Sequence, residues 1–286
     1  MVRKALRNCS VLVVLAVLLA GCSSQPPKAA HTSTTTGWKR VWFDGFSGSA
    51  GSVVDSSRWS AETGGDGWGN SELEYYTTGN ANASLDGRGD LALVARAGGS
   101  QYTCWYGPCR YTSSRLTTQK KFAVKYGRIE ARIKVPAGSG TWPAFWMLGT
   151  DIDTDPWPGA GEIDAMETVG RTPSTIYGSL HGPGYSGAND PTASYTLPNG
   201  QQFSAGFHTF AIDWTPSSIV FLVDGHVYER QSPSNVGGHR WVFDKPFFLL
   251  LNLAVGGDFP GDPQSAAAFP AVMLVDYVAV YKKTEG

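Results

Sequence analysis

The sequence predicts an all-β domain, most simply a two-sheet sandwich or jelly roll, on three observations. Short runs of alternating or β-branched residues recur past Trp38. Gly, Pro, Asn and Asp separate them at the intervals of an antiparallel sheet protein, and no window sustains the period of an amphipathic helix over three turns. Composition agrees: 35 Gly, 17 Pro, 10 Trp and 12 Tyr stand in 286 residues of which only 16% are charged, against roughly 25% in average soluble domains. Such a chain is too aromatic for disorder, and its length suits one sandwich domain of about 200–250 residues. With 23 Lys plus Arg against 24 Asp plus Glu the formal charge is −1, which leaves no basic excess for a nucleic-acid partner.

In chain order, the first segment reads as an address. Arg3, Lys4 and Arg7 precede an apolar run at 11–20, followed by Gly21, Cys22 and Ser23, the order of a secretory signal and its small-residue cleavage site. The run is shorter than the about 20 apolar residues that span a bilayer. Leu19-Ala20-Gly21-Cys22 looks like a bacterial lipobox, so 1–21 is expected to be a lipoprotein signal peptide and Cys22 a lipidated residue that ties the protein to a membrane outside the cytoplasm. A plain secretory signal with an incidental cysteine is the alternative. Residues 22–37 are rich in Ser, Thr and Pro without periodicity, as in a flexible tether, and 38–286 should form a single domain.

Within that domain strands are expected at 90–95 (DLALVA), 126–135 (YGRIEARIKV), 207–214 (FHTFAIDW), 219–223, 247–253 and 273–281, with Asp224-Gly225 as a hairpin turn. Cys104 and Cys109 flank the turn-like Trp105-Tyr106-Gly107-Pro108. In an exported chain they read as a disulfide; a metal pair is the weaker idea, because two sulfurs with no second pair make a poor zinc site. Closing so short a loop should fix the loop more than the fold.

The segment 161–170, GEIDAMETVG, holds Glu162, Asp164 and Glu167 in an apolar strand-like context. Strict alternation puts Glu162 and Asp164 on one face and Glu167 on the other. A one-residue bulge at the Ala165-Met166 step would return Glu167 to the face of the other two, and bulges are frequent beside active sites. Three acids on one face raise one another's pKa, an arrangement suited to a glycosidase that needs one ionised and one protonated carboxyl. A calcium cluster or a solvated acidic edge strand is the competing reading.

GEIDAMETVG resembles the E-x-D-x-x-E strand of glycoside hydrolase family sixteen, and the flanking text is similar to its laminarinase-type β-1,3-glucanases: FDGF at Phe43, GWGNSELEYYT at Gly67, YTSSRLTT at Tyr111, GTWPAFWMLG at Gly140, HGPGY at His181, NLAVGG at Asn252 and VDYVAVY at Val275. The resemblance implies a concanavalin-like jelly-roll β-sandwich of two antiparallel sheets, with a glycan cleft across the concave one, retaining chemistry and no catalytic cofactor. It implies Glu162 as nucleophile, Glu167 as general acid/base and Asp164 as assisting carboxylate. Mixed-linkage lichenases typically carry the shorter E-x-D-x-E instead.

Trp142 and Trp146 lie four apart and share a face in a regular strand; alone they would as readily fill the core, but the resemblance makes them cleft walls. It likewise implies Asn70, Arg115 and Asn252 as contacts to sugar hydroxyls and His181 as a neighbour of the acid/base, where unaided reading makes Asn70 a turn residue, Arg115 a surface residue and His181 a structural histidine. Trp68 is a further wall candidate. A structural Ca²⁺ is implied at Asp44, Gly89 and Asp276, although Asp276 alone could equally cap a turn or pair with a base. The expected activity is endo-cleavage of laminarin-like β-1,3-glucan by a monomer. Another polysaccharide, such as a galactan, transglycosylation, and a non-catalytic lectin are the alternatives; the lectin would have little reason to keep all three carboxylates.

Overall fold

A computed structural model describes residues 37–265 and 268–284. The signal segment, Cys22 and the tether up to residue 36 lie outside the described residues. Strands are numbered in chain order, and two sheets hold nearly all of them. The ten-stranded sheet runs β17 (His226–Gln231), β16 (Ser218–Val223), β15 (His208–Thr215), β10 (Gly127–Lys134), β19 (Ala271–Lys283), β5 (Leu91–Ala97), β8 (Tyr111–Ser113), β3 (Glu74–Tyr76), with β1 (Trp38–Asp44) also on β19 and β4 (Ala83–Leu85) on β5. The seven-stranded sheet runs β14 (Ala193–Thr196), β13 (Thr175–His181), β12 (Glu162–Glu167), β11 (Thr141–Gly149), β18 (Phe247–Val255), β9 (Arg115–Thr117), β2 (Ser60–Glu62). A small hairpin, β6 (Thr103–Cys104) and β7 (Gly107–Pro108), stands apart.

Alternation decides which side chains enter the core. In β10, Ile129, Ala131 and Ile133 are buried while Arg128, Glu130 and Arg132 are not fully so. They meet Phe210 and Ile212 of β15 and, from the seven-stranded sheet, Phe145, Met147, Ile163, Leu249 and Leu251, in one continuous core. Strand β18 is buried along its whole length, because its second face also carries Phe248 and Leu250, which pack with Leu148 in a separate small cluster. The hairpin between β16 and β17 turns at Asp224 (φ 49°) and Gly225 (φ 79°), the left-handed pair of a type I′ turn.

Among the described residues the expected antiparallel pairing of named strands holds with one exception. Strands β3 and β8 are parallel, Glu74 opposite Tyr111, which is possible because the chain between them is long enough to cross over. Part of that crossover is the β6–β7 hairpin, closed by the Cys104–Cys109 disulfide with a Cα separation of 5.0 Å. The hairpin grips the chain before β3: Trp105 Nε1 donates to the Glu72 carbonyl at 2.8 Å, and the Tyr106 hydroxyl to that of Leu73. Among the described residues no helix is long and apolar enough to cross a membrane.

Candidate active site

Strand β12 begins just after Gly161, whose φ of 78° favours glycine. A Cβ there would also come within 2.7 Å of Val242. Against β11, Asp164 pairs with Trp146 and Met166 with Phe145, so Ala165 has no counterpart. The other neighbour agrees: Asp164 faces Ser179 and Glu167 faces Tyr177, three residues on β12 against two on β13. This is a bulge at Ala165. Ile163, Ala165 and Met166 enter the core, and the parity change leaves Glu162, Asp164 and Glu167 together on the opposite face.

Cross-strand register then assembles the site in rows, since directly paired residues share a face. One row reads Glu62, Arg115, Asn252, Ala144, Glu167, Tyr177 across β2, β9, β18, β11, β12 and β13. The next places Leu250, Trp146, Asp164 and Ser179 side by side, and the third Phe248, Leu148, Glu162 and His181. Trp142 and Trp146 are both half-buried on this face while Phe145 and Met147 between and beside them fill the core. Trp142 Nε1 donates to Glu167 Oε1 at 2.8 Å.

His181 Nε2 lies 3.0 Å from Asp164 Oδ2 and 3.7 Å from both Glu162 Oε1 and Asp190 Oδ2. Register sets it opposite Glu162, and it is also near enough to Glu167 for its charge to lower that carboxyl's pKa. Burial is the main reason that all three carboxyls are harder to ionise than usual. It raises Glu162 to about 8, helped by the Asp164 charge and opposed by His181. Burial raises Glu167 to about 7, with Glu162 adding and His181 and the Trp142 hydrogen bond opposing. Asp164 goes well up through burial and the Glu167 charge. The face can therefore hold one carboxyl neutral and another ionised near neutrality, the condition for general acid and nucleophile in one site.

Beyond the trio, Arg115 is ion-paired to Glu62, and its guanidinium lies over the rings of Trp68 (4.5 Å) and Trp146 (4.6 Å). Asn252 Oδ1 accepts from Trp146 Nε1 at 2.7 Å, and Asn70 Nδ2 donates to Glu72. Sequence reasoning missed Tyr177 and Phe259: Phe259 meets Trp142 at 5.4 Å and Tyr177 at 5.2 Å, edge to face, beside Glu167. It also missed Trp157, 48% exposed and 6.1 Å from the His181 ring. A tryptophan between two prolines shortly before the acidic strand was the signal the sequence offered.

The three residues expected at a calcium ion lie at the ten-stranded sheet. Asp44 ends β1 opposite Val278, Leu91 opens β5 opposite Val275 just after Gly89, and Asp276 falls between them on β19. Asp276 is fully buried and accepts from Arg132 through Oδ2. The Asp44 carboxylate takes the Phe46 N–H at 3.0 Å and the Trp59 indole at 2.9 Å. The set is oxygen-only, which suits Ca²⁺.

A β-sandwich bearing a carboxylate trio between tryptophans on one sheet face has the layout of a carbohydrate-cleaving hydrolase. The model of glycosyl hydrolases family 16 matches residues 68–278. The beta-glucanase of Rhodothermus marinus is 38% identical over 99% of this chain and 97% of its own. Among solved structures, the laminarinase catalytic domain of Thermotoga maritima superposes with a TM-score of 0.80 at 44% identity, covering 87% of this chain and 99% of that one. The endo-beta-1,3-glucanase of Pyrococcus furiosus gives 0.80 at 46% identity, covering 87% and 96%. The chain belongs to glycosyl hydrolase family 16.

Proposed function

We propose that the protein is a retaining endo-hydrolase of internal β-1,3-glucosidic bonds in laminarin-like glucans. One observation carries this reading: the bulge at Ala165 gathers Glu162, Asp164 and Glu167 on a face walled by Trp142 and Trp146, in a chain similar along its length to laminarinases. A Glu162 carboxylate oxygen attacks the anomeric carbon as the Glu167 proton passes to the departing glycosidic oxygen. Glu167, now ionised, takes a proton from water, whose oxygen displaces Glu162 from the same carbon. Asp164, next to Glu162 and His181, shares the proton and charge of the trio so that Glu162 reaches its ionised form. Trp68, Trp146, Asn70, Arg115 and Asn252 bind the glucan. Export by residues 1–21 and lipidation of Cys22 would place this activity outside the cytoplasm on a membrane.

The test is hydrolysis of laminarin, lichenan, agarose, carrageenan and galactan by the purified protein, with product sizes read by mass spectrometry. A ladder of short oligosaccharides from laminarin is the expected result. Cleavage of galactan or agarose alone would move the substrate, and binding without cleavage would make the protein a lectin.

The raised carboxyls set the pH dependence. Below about 7 the Glu162–Glu167 pair is doubly protonated and lacks a nucleophile, and above about 8 it is doubly ionised and lacks an acid; between them it holds one proton, which rests mostly on Glu162, and the form with that proton on Glu167, the one the reaction uses, is a fixed minor share of the one-proton state. A bell-shaped kcat/KM profile with its maximum between about 7 and 8 is therefore expected, its limbs belonging to the coupled set. An optimum below pH 5 would contradict it.

A structural Ca²⁺ held by backbone oxygens of Asp44 and Gly89 and the Asp276 carboxylate extends the proposal. It is supported by the register that brings β1, β5 and β19 together at that point. Chelation is expected to lower Tm by several degrees and added calcium to restore it, with kcat at 25 °C unchanged. A Tm indifferent to both would remove the ion.

A further inference from the structure

Glu72 takes no part in the reaction above, yet its carboxylate holds Asn70, one of the side chains assigned to glucan binding, and reaches two more, Asn252 and Trp146, through Tyr76. The residue is 3% exposed. Asn70 Nδ2 donates to Oε1 at 3.3 Å and the Tyr76 hydroxyl to Oε2 at 2.9 Å. The Tyr76 oxygen accepts from Asn252 Nδ2 at 3.0 Å, and Asn252 Oδ1 accepts from the Trp146 indole at 2.7 Å. A chain of three hydrogen bonds thus joins Glu72 to the Trp146 ring.

The sense of that chain is fixed at both ends. An indole can only donate and an ionised carboxylate can only accept, so the Asn252 amide has one orientation that satisfies both neighbours. Because the Tyr76 oxygen already accepts from Asn252, its O–H is left to donate to Glu72. Beside it, burial and the Glu72 charge hold the Glu74 carboxyl well above its usual range. The disulfide hairpin braces the same segment from behind through Trp105 and Tyr106.

We propose that Glu72 is a positioning residue for glucan binding: through Tyr76 and Asn252 it sets the ring plane of Trp146, and through its other oxygen it sets Asn70. The inference rests on the reading of this face as a glucan-binding cleft. Breaking the chain leaves the reacting atoms untouched and loosens the wall, so the loss falls on KM rather than kcat.

The experiment uses the full chain, with laminarin as the probe. Tyr76→Phe is expected to raise KM about tenfold, the size of one lost hydrogen bond, with kcat within about threefold. Glu72→Gln keeps the shape but cannot accept from both Tyr76 and Asn70 at once, so it serves as the second variant with the same split. In a Trp146→Phe background, which lacks the indole donor, adding Tyr76→Phe should cost less than about twofold; fully additive costs would overturn the proposal. The Trp146 indole N–H resonance, assigned by its loss in Trp146→Phe, should shift in both variants, and an unmoved peak also overturns it. That signal needs no substrate. If the wild type fails to cleave laminarin, the glucanase reading falls while the indole still reports on the positioning role.

Discussion

Glu162→Gln is expected to lower kcat on laminarin by about 10⁴-fold or more, as loss of a covalent nucleophile does elsewhere, and at the same time to make the protein more stable at alkaline pH. The amide has the shape of the carboxylate but cannot form and release a glycosyl ester. The stability gain follows from linkage. Burial raises Glu162 from 4.5 to about 8, so between those values the folded state holds a proton that the unfolded chain has released. Stability then falls as pH rises through that window, and the whole penalty is present above about 8. A neutral amide carries none of it. The variant should match the wild type in Tm below about pH 4.5 and exceed it by several degrees at pH 8.5. Activity assays and calorimetry at pH 5 and 8.5 read both effects; turnover within tenfold of wild type would take Glu162 out of the mechanism.

Glu167→Ala should cost about 10²–10⁴-fold in hydrolysis, the usual contribution of a positioned acid or base, and its failure should be specific. An activated aryl glucoside needs little help from an acid, so the glycosyl-enzyme still forms but water attacks it slowly. Azide needs no base. Added to Glu167→Ala, it should restore turnover and yield a glycosyl azide of retained configuration, because two displacements have occurred at the anomeric carbon. In Glu162→Ala the same anion would attack once, from the vacated side, and give the inverted azide. The anomer read by NMR therefore tests the two roles separately, and an inverted product from Glu167→Ala would exchange them.

Local pattern in the sequence encodes faces, which made part of this site legible. Alternation in 126–135 gave β10 (Gly127–Lys134), and the parity conflict between Glu162 and Glu167 required a bulge where register shows one. What local pattern does not encode is which strand lies alongside. Strand β2 is three residues long and without alternation, so the Glu62 partner of Arg115, 53 residues away, left no trace. The parallel β3–β8 pair and the link from Glu72 to Asn252 are long-range in the same way. The pairing of His181 with Glu162 likewise depends on the β12–β13 register. Phe259 approaches Trp142 from a loop rather than from a patterned strand.

The extra residue at Ala165 has a consequence for how such a gene can change. Losing one codon from a strand ordinarily turns every later side chain to the wrong side of the sheet. Here the loss of Ala165 would leave Glu-Ile-Asp-Met-Glu, in which plain alternation already keeps the three acids on one side. A codon can be gained or lost at this position without inverting the strand, while the spacing between the outer acids changes by up to about 3.3 Å, the rise of one residue. The strand has two lengths at which its chemistry faces outward, and moving from one to the other alters the span of the acids rather than their presence.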